Sequence, residues 1–166
     1  GDRQTDLGIE AISIGQRVTI RGSGPDAMPA ITDANSPQIL FDATAGAVRM
    51  HVTHLSGIVN TVVPGQVDIA LQAIDRRRAG IFDFSGTGLS ADVDADPANY
   101  EVATGNLMLA ELSAGRPIAV RGFPEAFGAA PPDFSGRTVI DFTDVRSALG
   151  VGWGTEGTTA PFLSLG

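Results

Sequence analysis

The amino-acid sequence predicts an all-β protein made of two consecutive small Greek-key barrels, and three observations carry that prediction. Apolar and polar residues alternate over short runs. Glycine and proline interrupt those runs often, with 21 Gly and 10 Pro in 166 residues. One phrase is also written twice: Gly15-Gln16-Arg17-Val18-Thr19-Ile20-Arg21-Gly22 returns as Gly115-Arg116-Pro117-Ile118-Ala119-Val120-Arg121-Gly122. A period of two marks a strand with one buried face. Many short strands between turn residues point to a sandwich or a barrel.

The elements follow in order. In the first copy Val18 and Ile20 share one face of a strand, and Thr19 and Arg21 the other. Val48-x-Met50-x-Val52 alternates in the same way. Ile58–Val63, the turn Pro64-Gly65 and the alternating run Val67-x-Ile69-x-Leu71-x-Ala73 read as a hairpin. Phe82 and Phe84 share a further face, and Tyr100 and Val102 another. About five short strands per unit, with edges to protect, favour closure into a barrel. Gly22 and Gly122 fit a bulge or corner, where a missing Cβ lets a strand coil sharply.

The match between the halves extends well beyond the opening phrase. Leu7-Gly8-Ile9 faces Leu107-Met108-Leu109, Ile12-Ser13 faces Leu112-Ser113, and Pro25-Asp26-Ala27 faces Pro124-Glu125-Ala126 after one dropped residue. Ser36, Asp42 and Thr44 then face Ser135, Asp141 and Thr143. Val48-x-Met50-x-Val52 meets Leu149-x-Val151-x-Trp153. A run of matches with one small slip is the signature of an internal repeat. The expected division is residues 1–76 and 77–166, with Ala73–Gly80 joining the units.

The module, apolar residues leading to Leu112, Gly115, Ile118, Val120, Arg121 and Gly122, resembles the repeated OB-fold-like domains of uncharacterised bacterial secreted proteins and lipoproteins. Asp96 to Phe134 carries the likeness most clearly. The resemblance implies tandem OB-like barrels at the cell envelope: periplasm, outer-membrane surface or extracellular space. It brings no activity and no catalytic residues.

Composition narrows the function. The chain carries 19 acidic residues against 11 basic ones, a net charge of −8, and every base is arginine. Arginine without lysine, in a chain rich in Ala and Gly, reads as the coding bias of a GC-rich bacterial genome. The acidic balance repels phosphate backbones and anionic lipid, so neither nucleic acid nor a membrane surface is an expected partner. No apolar run approaches the roughly 20 residues of a membrane-spanning helix. There is no cysteine, hence neither disulfide nor thiolate metal site. The abrupt ends, Gly1-Asp2-Arg3 and Ala160–Gly166, lead to the expectation of a segment of a longer exported protein.

Each chemical motif has a structural counterpart that fits better. His51 and His54 would face opposite sides of a strand, which suits no shared metal. Asp92, Asp94 and Asp96 alternate as in a calcium loop, yet Pro97 stands where that loop needs glycine and Ala103 where it needs glutamate. They remain a weak calcium candidate beside a solvated acidic connection. Arg76-Arg77-Arg78 lacks the interleaved aromatics of a single-strand binder. Asp-Phe-Ser-Gly occurs at 83–86 and 133–136, but Ser85 and Ser135 lack the Gly-x-Ser-x-Gly elbow. Gly150–Gly154 follows no βαβ pattern, and Trp153 is expected to plug a barrel.

Arg21 with Asp42, and Arg121 with Asp141, supply one cation and one anion per unit. They are the candidate binding residues, either pairing across strands or holding an anionic ligand. The expected function is a non-enzymatic structural or binding segment without a cofactor, presenting the loops at 23–37 and 123–136 to a protein or polysaccharide of the envelope. The alternatives are a calcium- or carbohydrate-binding module and an accessory domain of an extracellular hydrolase.

Overall fold

The computed structural model describes residues 9–23, 42–109 and 111–145. Trp153, the run 149–154, the terminal stretch 160–166 and nearly all of the loop 23–37 lie outside the described residues. The described chain is all-β. Its elements are β1 (Val18–Ser23), β2 (Asp42–Met50), β3 (Thr53–Val63), β4 (Gln66–Ile74), β5 (Arg77–Arg78), β6 (Tyr100–Ala103), β7 (Pro117–Pro124) and β8 (Phe134–Asp141), with one-turn 3-10 helices at Ile9–Ala11, Ala79–Ile81, Ala91–Val93 and Pro97–Asn99.

These strands form a two-stranded ladder, β1–β2, and a six-stranded sheet ordered β3-β7-β8-β6-β4-β5. In that sheet β3 also pairs with β4, so the ladders return to the strand from which they started. Every pairing is antiparallel except β6 with β8, where Val102 and Ala103 lie opposite Phe134 and Ser135. The sheet draws β3 and β4 from before the expected boundary at 76/77 and β5 to β8 from after it. Hydrogen bonding therefore runs straight across that position.

The stretch 73–80, expected to join two units, is part of this sheet. Asp75 and Arg76 form a two-residue turn with both φ angles positive, 45° and 69°, after which Arg77 and Arg78 pair back onto β4. Two positive φ values fit the right-handed twist of a tight hairpin. Asp75 tolerates the geometry because its Oδ1 accepts the His54 backbone N–H at 3.1 Å. At the other end Pro64-Gly65 turns β3 into β4 as the sequence predicts, with Gly65 at φ +82°.

Alternation decides the interior. Leu55 and Val59 of β3, Val67 and Ile69 of β4, Tyr100 and Val102 of β6, Ile118 and Val120 of β7, and Phe134 of β8 are all buried and pack as one cluster. The expected run Val67, Ile69, Leu71, Ala73 holds for three members. The register then skips Gln72, so Ile74 rather than Ala73 points inward. Phe82 and Phe84 lie on no strand. They belong to the long connection between β5 and β6, where Phe84 is buried edge-on against Tyr100, ring centres 6.0 Å apart. Gly80, Gly86, Gly88 and Pro97 interrupt that stretch too often for a ladder.

Both repeat glycines sit at irregularities. The β1–β2 register slips between Arg21 and Ser23, and the β7–β8 register between Arg121 and Gly122. At Gly122 an added Cβ would stand 2.0 Å from the Ser135 carbonyl oxygen and 2.7 Å from the Phe134 ring. Only glycine fits there. The surroundings of the two copies differ: Ile118 and Val120 are buried within the sheet, whereas Ile20 is 48% exposed on the two-stranded ladder.

Two substitutions test this account by urea unfolding. Gly122→Ala is expected to cost about 3 kcal/mol, because the contact is with backbone that cannot move aside. Arg76→Gly, relieved of a strained φ, is expected to gain up to about 1 kcal/mol.

Candidate functional site

The strand register does not bring the predicted Arg–Asp partners of the second copy together. Arg121 is exposed in the middle of β7, opposite His54 of β3 and Thr138 of β8. Asp141 is opposite Ile118, at the far end of the same ladder. Its carboxylate accepts from Arg116 at 3.0 Å and from the Thr143 backbone and hydroxyl at 2.8 and 2.6 Å. The Thr143 bonds first, and then Arg116, hold the Asp141 carboxyl below its usual range. Arg116, at the Arg of Gly-Arg-Pro, is the partner that the sequence pattern overlooked. In the first copy Arg21 is opposite Ala47, and Asp42 is displaced to the start of β2, opposite Ser23.

The acidic stretch is committed to local bonds. Asp92 accepts from the Ser90 hydroxyl at 2.6 Å, Asp94 from the Gly88 N–H at 2.8 Å, and Asp96 from the Ala98 N–H at 2.8 Å. The three carboxylates thus serve three separate turns. Those bonds keep Asp92 and Asp94 below the usual carboxylate value. Among the described residues no group of three or more His, Asp or Glu is placed to hold a metal ion. The histidines likewise part company: His51 Nε2 lies 2.7 Å from Thr19 Oγ1, and His54 Nδ1 lies 3.1 Å from Asp75 Oδ1.

The two Asp-Phe-Ser-Gly copies do different work. Asp83 closes a turn, its Oδ1 accepting both the N–H and the hydroxyl of Ser85. Asp133 is buried, and its Oδ2 accepts the Glu101 N–H at 2.8 Å. Its backbone ties the start of β6 to the end of β7: its N–H donates to Glu101 O and its carbonyl accepts from Glu125 N, both at 2.9 Å.

Around Asp133 lies the one concentration of buried titratable groups among the described residues. Burial pushes the Asp133 carboxyl up to about 6, and the negative charges of Glu101, Asp96 and Asp68 add to that rise against the bond from Glu101 N–H. Burial also raises the Tyr100 phenol, helped by the charges of Asp133 and Glu125. The cavity they line, closed on one side by Ser13 and Ile14, measures about 10 Å³. That is room for a single water and not for a substrate. Nothing in the sequence pattern marks Asp133, since its burial comes from the connection that folds over it.

Compared with protein-family models, with curated proteins and with solved structures, the chain matches none of them. No helix of the described chain is long and apolar enough to cross a membrane.

Asp133 sets a pH dependence with a definite sign. Its folded value lies above its unfolded 3.8, so the acid form is favoured by folding and ionisation opposes it. The penalty is absent below about pH 4 and complete above about pH 6, where it amounts to roughly 1–3 kcal/mol. Asp133→Asn is expected to remove this component, so unfolding free energies of the two proteins diverge between pH 4 and 6. Arg121→Met, by contrast, is expected to leave the melting temperature unchanged, because no carboxylate of the described residues pairs with that side chain.

Proposed function

We propose that the six-stranded sheet is an OB-like Greek-key barrel and that the protein is a non-catalytic segment of a bacterial envelope protein, built to hold loops in fixed positions. Two things support the barrel reading: the strand order β3-β7-β8-β6-β4 returning to β3, and the parallel step between β6 and β8. The likeness to repeated domains of secreted proteins and lipoproteins supports the location. The tandem arrangement rests on the repeat, with β1 and β2 taking the part in one unit that β7 and β8 take in the next.

The observation that carries the function is the way the connecting loops are pinned. The stretch 87–95 is laced to the β7–β8 loop by Leu89 N–H to Ala130 O at 2.9 Å and Ala130 N–H to Thr87 O at 3.1 Å. It is braced from within by Thr87 Oγ1, which accepts the Ala95 N–H at 2.9 Å. On this rigid support Ile81 and Leu89 stay 66% and 75% exposed. Fixed loops carrying exposed apolar side chains suit recognition of a protein or polysaccharide without a cofactor, since little entropy is lost on contact.

Cosedimentation with bacterial cell-envelope fractions tests the proposal. The wild type is expected to sediment with them, and the double substitution Ile81→Asp, Leu89→Asp to stay in solution with an unchanged melting temperature. Equal sedimentation of the two would remove this end as the contact. Calcium, with or without EDTA, is expected to leave the melting temperature where it is. Single-stranded DNA is expected not to bind, even at low salt.

A further inference from the structure

We infer that the segment 107–116, with Met108, Ala114 and Gly115 outward, is a docking edge for the next unit of the same polypeptide. The inference rests on the reading of the chain as a string of OB-like units and adds how neighbouring units meet. Its warrant is an internal comparison: the same segment occurs twice, covered once and open once.

Residues 9–16 and 109–116 have the same local structure. In each, a serine carbonyl accepts the N–H three residues on: Gln16 to Ser13 at 3.1 Å and Arg116 to Ser113 at 3.4 Å. In each, the intervening glycine is left-handed, with Gly15 at φ +80° and Gly115 at +85°. The turn is thus a property of the repeated sequence and not of its surroundings.

The surroundings differ. The first copy lies against the sheet that follows it. Ile14 packs on the core cluster, and a Cβ on Gly15 would stand 2.8 Å from the Ile74 side chain. Glu10 O accepts the Phe127 N–H at 3.2 Å. In the second copy Leu109 and Leu112 pack inward on their own core, but the outward side has no such cover. Met108 is 95% exposed, Ala114 is exposed, and a Cβ on Gly115 would meet nothing within 4 Å. Beside them opens a groove of about 390 Å³ lined by Met108, Leu109, Leu112 and Val139.

The first copy identifies the occupant. Only His51 and Val52 separate β2 from β3, so residues 9–16 are covered by the unit that follows their own ladder. The offset between Gly22 and Gly122 is 100 residues (122 − 22), which carries the β3 range 53–63 onto 153–163. The partner for 107–116 is therefore the unit that follows β8, docking by its equivalents of Ile74 and Phe127. A second copy of this chain fits less well, since its own residues 9–16 already occupy that end. Stacking each unit on the next gives an assembly whose contacts are all between neighbours.

The absence of cysteine makes one introduced thiol a unique reporter. Two chains are compared: residues 1–166, and residues 1–152 followed by a second copy of residues 53–145. Each carries Met108→Cys or Ala114→Cys, with Ile14→Cys as the covered reference. In the shorter chain the thiols at 108 and 114 are expected to react at the rate of a free thiol, and in the longer chain about tenfold more slowly or less. The thiol at 14 is expected to be slow in both. A further longer chain, with Ala114→Ile and Met108→Cys, restores the isoleucine found at position 14. If the added copy resists protease while the thiols at 108 and 114 react equally fast in every chain, the docking edge is wrong and the unit reading stands. If the added copy is digested as an unfolded tail, the unit reading falls and the docking edge with it.

Discussion

The approach of β8 to β7 at Gly122 is the contact on which the architecture turns. Here the Ser135 carbonyl and the Phe134 ring lie where any other residue would carry a Cβ. The bulge between Arg121 and Gly122 bends β7, and the bend lets β8 continue from its antiparallel partner β7 to its parallel partner β6. Without that step β6 and β8 would be two unpaired edges. With it, Phe134 is driven into the centre of the cluster formed by Leu55, Ile69, Tyr100, Ile118 and Val120. One missing methyl group thus links backbone geometry, sheet closure and the packed interior.

The same contact explains why the interior offers no chemistry. Large apolar side chains from five strands fill the centre, leaving only a water-sized space at Asp133, roofed by Ser13 and Ile14. Polar groups near that space are spent on backbone: Asp133 on Glu101 N–H, and Thr87 on the Ala95 N–H and the Phe84 carbonyl. A carboxyl raised by burial often signals catalysis. In this position it signals a staple, because its oxygen serves the main chain and its surroundings admit no reactant.

Much of the fold was legible because its signals are local. Val18 to Gly22, Ile118 to Gly122, the Pro64-Gly65 turn and the inward residues of β4 follow from alternation and turn chemistry alone. The division of the chain was not, because a unit boundary depends on which strands pair. Arg76-Arg77-Arg78 resembles a linker by composition, and only the left-handed turn at Asp75-Arg76 makes it a hairpin. The ion pair was missed for a related reason. Matching Asp141 to Arg121 by repeat ignores register, which sets Asp141 opposite Ile118 and within reach of Arg116. Asp133 was invisible since its burial arises from loops distant in sequence.

The joint between β2 and β3 has a mechanical meaning. It is two residues long, and it is held by His51 N–H on the Arg17 carbonyl at 2.8 Å, the Gln16 side chain on the His51 carbonyl at 2.7 Å, and His51 Nε2 against Thr19. A tether of that kind has no slack. Flexing it requires breaking hydrogen bonds rather than rotating free backbone, so the β1–β2 ladder is tied to the start of β3 as a spliced beam is to its neighbour. Tension along the chain would then load shear bonds across strands before it lengthened any coil.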